Sequence, residues 1–203
     1  MKEKGETAVK KKLLYLDCCI REDLSRTRKL GEAFLNAVPP EWEVTRLELM
    51  AEPLVPFNGA FFRQRETLLE KGELDHPRFR YAHQFAAADA VAVAAPFWDL
   101  SFPALLKIYI ENVSVDGITF YCDQAGLHGK CRGEKLLFLT TRGGSYNGSA
   151  QEMGSRYLEA LKDFFGFGGY ACVAADGLDE DPAKTQGILD EACVRARELA
   201  KQL

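Results

Sequence analysis

The chain has 203 residues, 47% hydrophobic and 28% charged, and its 26 Lys and Arg against 30 Asp and Glu leave a net charge of −4. At ~150 residues per domain this suits one domain with a sizeable core that needs no disulfide or metal to fold, and it excludes a disordered, collagenous or coiled-coil chain. The mild acidity leaves no broad basic surface for nucleic acid or an anionic membrane.

Taken in chain order, residues 1–11 are polar and lysine-rich with no apolar core behind them, so they read as a flexible tail and not a secretory signal; residues 12–203 read as a single domain. Lys12–Asp17 (KLLYLD) is a short apolar run and predicts a strand. From Ser25 onward, Leu30, Ala33, Phe34, Ala37 and Val38 recur at helical spacing until Pro39-Pro40 closes the helix. Val44–Leu49 alternates like a strand with one wet face. Residues 50–76, with Pro53, Pro56, Asn58-Gly59 and the aromatics Phe57, Phe61 and Phe62, read as irregular. A helix is expected over Arg78–Ala88, with His83 on its face and not as a ligand.

Ala90–Ala95 (AVAVAA) has the small, wholly apolar composition of a central parallel strand covered on both faces, and Pro96 stops it. Ser101 and Pro103 open a helix that runs to Val113. Its sequence, ALLKIYIENV, is apolar nearly all round, so a subunit interface is expected there. Lys135–Thr140 predicts a strand, Ser155–Phe165 a helix and Tyr170–Ala175 a strand, and Asp181-Pro182 caps and opens the last helix. Five strands alternating with five helices require right-handed crossovers and a parallel sheet with helices on both faces; five strands suit the doubly wound order 2-1-3-4-5.

The six cysteines form no C-x-x-C pair and the three histidines no metal-binding spacing, so reduced thiols, a cytoplasmic location and no metal site are expected. The most apolar stretch, Phe85–Ile110, carries Asp89, Asp99, Lys107 and two prolines, and no membrane span is expected.

An open parallel sheet binds ligands beyond the carboxyl ends of its strands, where the order reverses. The loops after strands 1, 3 and 4 therefore belong together. The first, Cys18 to Thr27, leads into a helix N-terminus, which favours an anion; Arg21, Arg26 or Arg28 supplies charge. Neither a G-x-G-x-x-G nor a G-x-x-x-x-G-K-[ST] is present, so a single phosphate fits better than a pyrophosphate or triphosphate, although Ser25 fits equally as a plain helix cap. In the second, Phe97, Trp98, Asp99 and Leu100 suit a wall and polar edge for a flat ring, or a cover for the end of the core. The third, Thr141-Arg142-Gly143-Gly144-Ser145-Tyr146, has paired glycines that permit either a turn or a close approach to a ligand.

These loops, together with A-P-F-W-D-L-S-F-P-A-L-L-K at Ala95–Lys107, G-I-T-F at Gly117–Phe120 and T-T-R-G-G at Thr140–Gly144, resemble the FMN-dependent NADH azoreductase and NAD(P)H quinone oxidoreductase family along about residues 12–200. The resemblance implies a flavodoxin-like three-layer sandwich, bound FMN, and a homodimer with its sites at the subunit interface. It implies hydride transfer from NADH or NADPH through FMN to a quinone, azo or related aromatic acceptor, in ping-pong order. Carried over by position, Cys19, Ser25 and Thr27 line the phosphate, and Phe97, Trp98, Asp99 and Leu100 border the ring. Thr141, Arg142, Gly143 and Gly144 meet the ring's pyrimidine side, and Phe120, Cys122 and Phe164 belong to the substrate pocket. Tyr146 is either a catalytic donor to the acceptor or a rim aromatic, and Phe57, Phe61 and Phe62 either cover the partner's flavin or anchor their own loop.

The chain departs from that family's pattern in three places. Cys18-Cys19 replaces hydroxyl donors, Asp99 replaces an amide and so accepts but cannot donate, and Cys122 replaces an aromatic. Two other readings compete: a flavodoxin-type one-electron carrier, which calls for a more acidic face, and a receiver-like signalling domain, for which Asp17 and Asp99 lack acidic company.

Overall fold

The computed structural model describes residues 10–203. Residues 1–9 of the expected tail lie outside the described residues, and Lys11 already opens the first strand. In chain order the elements are β1 (Lys11–Asp17), α1 (Arg26–Leu35), β2 (Trp42–Glu48), α2 (Gly59–Glu70), α3 (Arg80–Ala86), β3 (Ala90–Ala94), α4 (Ala104–Val113), β4 (Phe120–Asp123), β5 (Gly126–Gly129), β6 (Lys135–Thr141), α5 (Gly154–Phe165), β7 (Gly169–Ala175) and α6 (Thr185–Ala200). Five of the strands form one parallel sheet in the order β2-β1-β3-β6-β7, which is the expected 2-1-3-4-5. The chain is a flavodoxin-like α/β sandwich.

Alternation along each strand sends its residues to two separate cores. Leu13 and Tyr15 of β1, with Ala90, Ala92 and Ala94 of β3, face α1 and α6. Leu14, Leu16, Val91 and Val93 face α3, α4 and α5, where Leu106, Tyr109, Phe138 and Phe165 fill the space. The alanines of β3 keep the first face shallow, so α1 lies close to the sheet. At Gly31 the approach is closest: a Cβ there would stand 1.8 Å from the Tyr15 hydroxyl.

Several boundaries and two elements differ from the sequence reading. Residues 50–76 are not irregular throughout: α2 occupies twelve of them, and Asn58-Gly59 is its start, with the Asn58 side chain accepting from the Ala60 and Phe61 amides at 3.1 and 3.0 Å. α2 buries only Leu68, against Phe79, Ala82, Val115 and Ile118, so it shows no apolar period. The β4–β5 hairpin, between α4 and β6, is small and mostly exposed and also carries no strand-like alternation. The helix expected from residue 78 begins as a 3-10 turn at Pro77–Phe79, and α3 ends at Ala86. Asp181 does not cap α6. Its side chain accepts from the Ala183 amide in a local turn, and the helix starts at Thr185. On α4 one face is buried by Leu106, Tyr109, Ile110 and Val113, while Leu105 and Ile108 stay partly exposed.

Gly31→Ala is expected to destabilise the protein although alanine is the better helix former by about 1 kcal/mol. The added methyl must displace Tyr15 from a packed core, an overpacking cost of about 1–3 kcal/mol. Urea unfolding of the two proteins measures the sign.

Candidate functional site

Beyond the carboxyl edge of the sheet lies a cavity of about 510 Å³. The first loop and the start of α1 line it with Arg21, Ser25, Arg26 and Thr27, and the loop after β3 with Pro96 to Leu100. Thr141, Gly143, Gly144 and Tyr146 line it from the end of β6, and Asp179 from the loop after β7. The three loops singled out in the sequence therefore meet around one crevice. Backbone bonds continue the strand pairing into them: Cys18 donates to Ala94 at 2.8 Å, Ala95 to Leu139 at 3.1 Å and Phe97 to Thr141 at 3.1 Å. The Thr27 and Thr141 hydroxyls, both buried, share a hydrogen bond of 2.6 Å that ties α1 to β6 at the cavity floor.

Ser25 does cap α1, its hydroxyl accepting from the Arg28 amide at 3.2 Å, and it also lines the cavity. The cap leaves the Arg26 and Thr27 amides without a partner among the described residues. Free N–H groups at a helix start, beside two arginines, make an anion site. The third arginine, Arg28, turns away to Asp17 and Asp23.

The loop after β3 turns sharply. Trp98 and Ser101 exchange two backbone hydrogen bonds of 3.1 and 2.8 Å, and Asp99 and Leu100 between them have φ of +50° and +67°. Positive φ at both central residues defines a type I′ turn, which favours Asn-Gly; a leucine there costs about 1–2 kcal/mol. Trp98 and Leu100 are each 40% exposed, so they do not serve as a lid on the core. The turn holds two strained residues, their amides without a partner among the described residues, and one indole against the cavity. Phe97 packs on Tyr146 with ring centroids 4.6 Å apart, and the Tyr146 hydroxyl makes no hydrogen bond among the described residues.

Five of the expected site residues do not line the cavity. Arg142 is 3% exposed and its guanidinium turns to Glu152 at 3.2 Å and Asp176 at 3.3 Å, on the far side of the loop. Asp176 in turn accepts from the Tyr146 and Asn147 amides at 2.9 and 3.1 Å, so this buried cluster shapes the Gly143–Asn147 segment from behind. Cys19 is buried, its thiol against the Ala94 carbonyl at 3.8 Å, and burial pushes the thiol up out of reach of ionisation. Phe120 and Phe164 pack on each other with centroids 4.9 Å apart at the base of the β4–β5 hairpin, where Cys122 is exposed. Asp179 was not anticipated. It follows the last strand, whose carboxyl end lies on the same edge as the others, and the acidic run Asp176–Asp181 was the available signal.

A volume in the range of small-molecule sites, an anion pocket at one end, aromatic flanks, and at the other end amides of Asp99, Leu100, Gly143 and Gly144 without a partner among the described residues fit a flavin mononucleotide. Fold and site together define a doubly wound α/β protein with a mononucleotide-sized crevice at the switch point of its sheet. The sequence profile described as "Flavodoxin-like fold" matches residues 11–200, and the chain belongs to that family. It is 36% identical over 203 residues to an FMN-dependent NADH:quinone oxidoreductase 2 of Clostridium acetobutylicum, covering 94% of this chain and 98% of that protein. An FMN-dependent NADH:quinone oxidoreductase of Clostridium perfringens is 37% identical over 204 residues with the same coverage. Among solved structures, an azoreductase from Bacillus anthracis superposes with a TM-score of 0.85 at 26% identity, over 95% of this chain and 100% of that one.

One buried carboxylate sets the shape of the first loop. Asp17, the last residue of β1, accepts from the Cys19 amide at 2.9 Å and from Arg46 at 2.5 Å, with Arg28 at 3.5 Å. Burial raises its pKa, but the hydrogen bonds from Cys19 and Arg46 and the charge of Arg28 outweigh burial and hold it below the ordinary carboxylate value. A folded-state value below the unfolded one means that this stability is present above the unfolded pKa of about 3.9 and is lost as pH falls through the folded one. Asp17→Asn is expected to cost about 1–3 kcal/mol at neutral pH, by removing the buried acceptor that Arg46, Arg28 and the Cys19 amide share, and to reduce the loss of stability below about pH 4. Urea unfolding across pH 2–7 at constant ionic strength is the measurement, with that range bracketing ~3.9.

Proposed function

We propose that this chain is an FMN-dependent oxidoreductase that takes a hydride from NADH and reduces a quinone, an azo compound or a related small aromatic acceptor. The convergence of the three loops on one crevice of mononucleotide size carries this reading, and the names borne by the similar proteins agree with it. Bound FMN supplies the two-electron chemistry that side chains lack.

The chain's own part is binding and orientation. The Arg26 and Thr27 amides and the Arg21 and Arg26 side chains hold the phosphate, with Ser25 and Thr27 hydroxyls at the same end. Phe97 and Trp98 flank the ring, and the amides of Asp99, Leu100, Gly143 and Gly144 meet its polar edge, where added electron density is stabilised by fixed donors. Tyr146, on the cavity wall with a hydroxyl that has no partner among the described residues, donates a hydrogen bond or proton to the acceptor. Donor and acceptor use the same open face in turn, which makes the order ping-pong. Arg142 and Cys19 act as positioning residues behind the loops. Phe120, Cys122 and Phe164, outside this cavity in one chain, belong to the substrate pocket only if a second copy brings a hairpin to it.

A homodimer supplies that copy. The partly exposed Leu105 and Ile108 of α4 and the exposed Tyr121 and Leu127 of the hairpin are the apolar surface it would cover. We place the protein in the cytoplasm, in keeping with six unpaired cysteines. No helix among the described residues is long and apolar enough to cross a membrane.

The purified protein is expected to be yellow, to bleach when NADH is added without oxygen, and to recover colour on adding a quinone; light scattering is expected to give twice the chain mass. A colourless protein that takes up no added FMN sinks the proposal. Asp99→Asn removes a negative charge from the ring's edge and is expected to raise the flavin midpoint potential by on the order of 20–40 mV, taking about 30 mV as 1.4 kcal/mol for a two-electron couple. Spectroelectrochemical titration measures it.

A further inference from the structure

The phosphate end of the cavity is closed by two side chains from opposite ends of the chain. Arg26, the first residue of α1, gives its two terminal nitrogens to the two oxygens of the Asp179 carboxylate at 2.7 and 3.3 Å, and one of them also lies 3.4 Å from the Leu178 carbonyl. Asp179 is fixed from below. Its amide donates to the Gly143 carbonyl at 2.8 Å, and its Oδ2 stands 2.4 Å from where a Cβ on Gly143 would be. A side chain at residue 143 would push this carboxylate aside. The hydrogen bond and charge of Arg26, with a smaller contribution from Arg21, hold the Asp179 carboxyl below the usual range, so it is ionised at neutral pH and faces both cations of the cavity lining.

A helix N-terminus by itself accepts any phosphate, terminal or bridging. The two differ in what lies beyond. A mononucleotide ends at its phosphate, where Arg26 stands between that dianion and Asp179. A dinucleotide continues through a second phosphate to an adenosine, and the second anion meets the carboxylate of Asp179, whose clasp already occupies Arg26 and leaves Arg21 as the other cation of the lining. A like charge placed where the second phosphate must pass disfavours the longer ligand and leaves the shorter one unaffected.

We propose that Asp179, clasped to Arg26, is the specificity-determining residue that confines the cavity to a flavin mononucleotide and turns a flavin dinucleotide away. This rests on the reading of the cavity as a flavin site. The pair joins residues 153 positions apart, and the bridge is made by a side chain that is itself 64% exposed, so the fold does not depend on it.

The test is a titration of flavin-stripped apoprotein with FMN, FAD and riboflavin, followed by flavin fluorescence, for the native chain, Asp179→Ala and Asp179→Asn, each checked by circular dichroism. The native protein is expected to bind FMN at least ~100-fold more tightly than FAD. Asp179→Ala is expected to reduce that ratio by at least ~10-fold through a gain in FAD affinity, and Asp179→Asn, which keeps the bulk and drops the charge, to fall between. A native chain that binds FMN and FAD alike overturns the proposal, as does an unchanged ratio in Asp179→Ala with FMN still bound. A native apoprotein that binds neither FMN nor riboflavin overturns the reading of the cavity itself, and the proposal with it.

Discussion

All five strands of the main sheet point the same way, and everything at the site follows from that one constraint. A parallel strand must return by a crossover, so each strand releases its outgoing loop at the same edge. With β1 and β3 adjacent and their helices sent to opposite faces, the loops after them diverge and leave a crevice between. The cavity is the space left by the topology, and the hydrogen bonds that run on from β1, β3 and β6 into the loops keep its walls at fixed spacing.

Within that frame the polar groups divide into two kinds. Buried Asp17, reached by Arg28 and Arg46 from the surface, and buried Arg142 with Glu152 and Asp176 set the course of the first and third loops. Removing Glu152 or Asp176 leaves the buried Arg142 charge with fewer partners, a cost borne without any contact to the cavity. Around the cavity, side chains such as Arg21, Arg26 and Tyr146 stand beside backbone amides at the start of α1, in the Trp98–Ser101 turn and at Gly143-Gly144 that have no partner among the described residues. Amides carry no sequence signature. Cys19 serves the loop through its amide to Asp17 and its buried thiol, outside the cavity lining.

The turn after β3 shows how function is written against local preference. Asp99 and Leu100 occupy a conformation that Asn-Gly would hold without strain, and the surrounding structure keeps them there through the Trp98–Ser101 pair and the Leu100 carbonyl bonded to the Met153 amide at 2.9 Å. Strain sustained by its neighbours at a ligand edge is a form of preorganisation: the amides are already aimed.

The strands of the main sheet and most of its helices were legible from residues alone, because a strand covered on both faces is a continuous apolar run and a half-buried helix has a period of 3.6, both local signals. The strand count then suggested the sheet order and the meeting of the three loops. KLLYLD, AVAVAA and KLLFLT announce buried strands without any knowledge of their neighbours. α2 and the β4–β5 hairpin escaped, since an element that buries one leucine or stays in solvent leaves no period to read. Tertiary structure alone decided which way Arg142 points, what stands against Gly143 and Gly31, and that Asp179 joins the lining from the far end of the chain. Each of these is a contact between residues far apart in sequence, whose geometry exists only after the strands have been laid side by side.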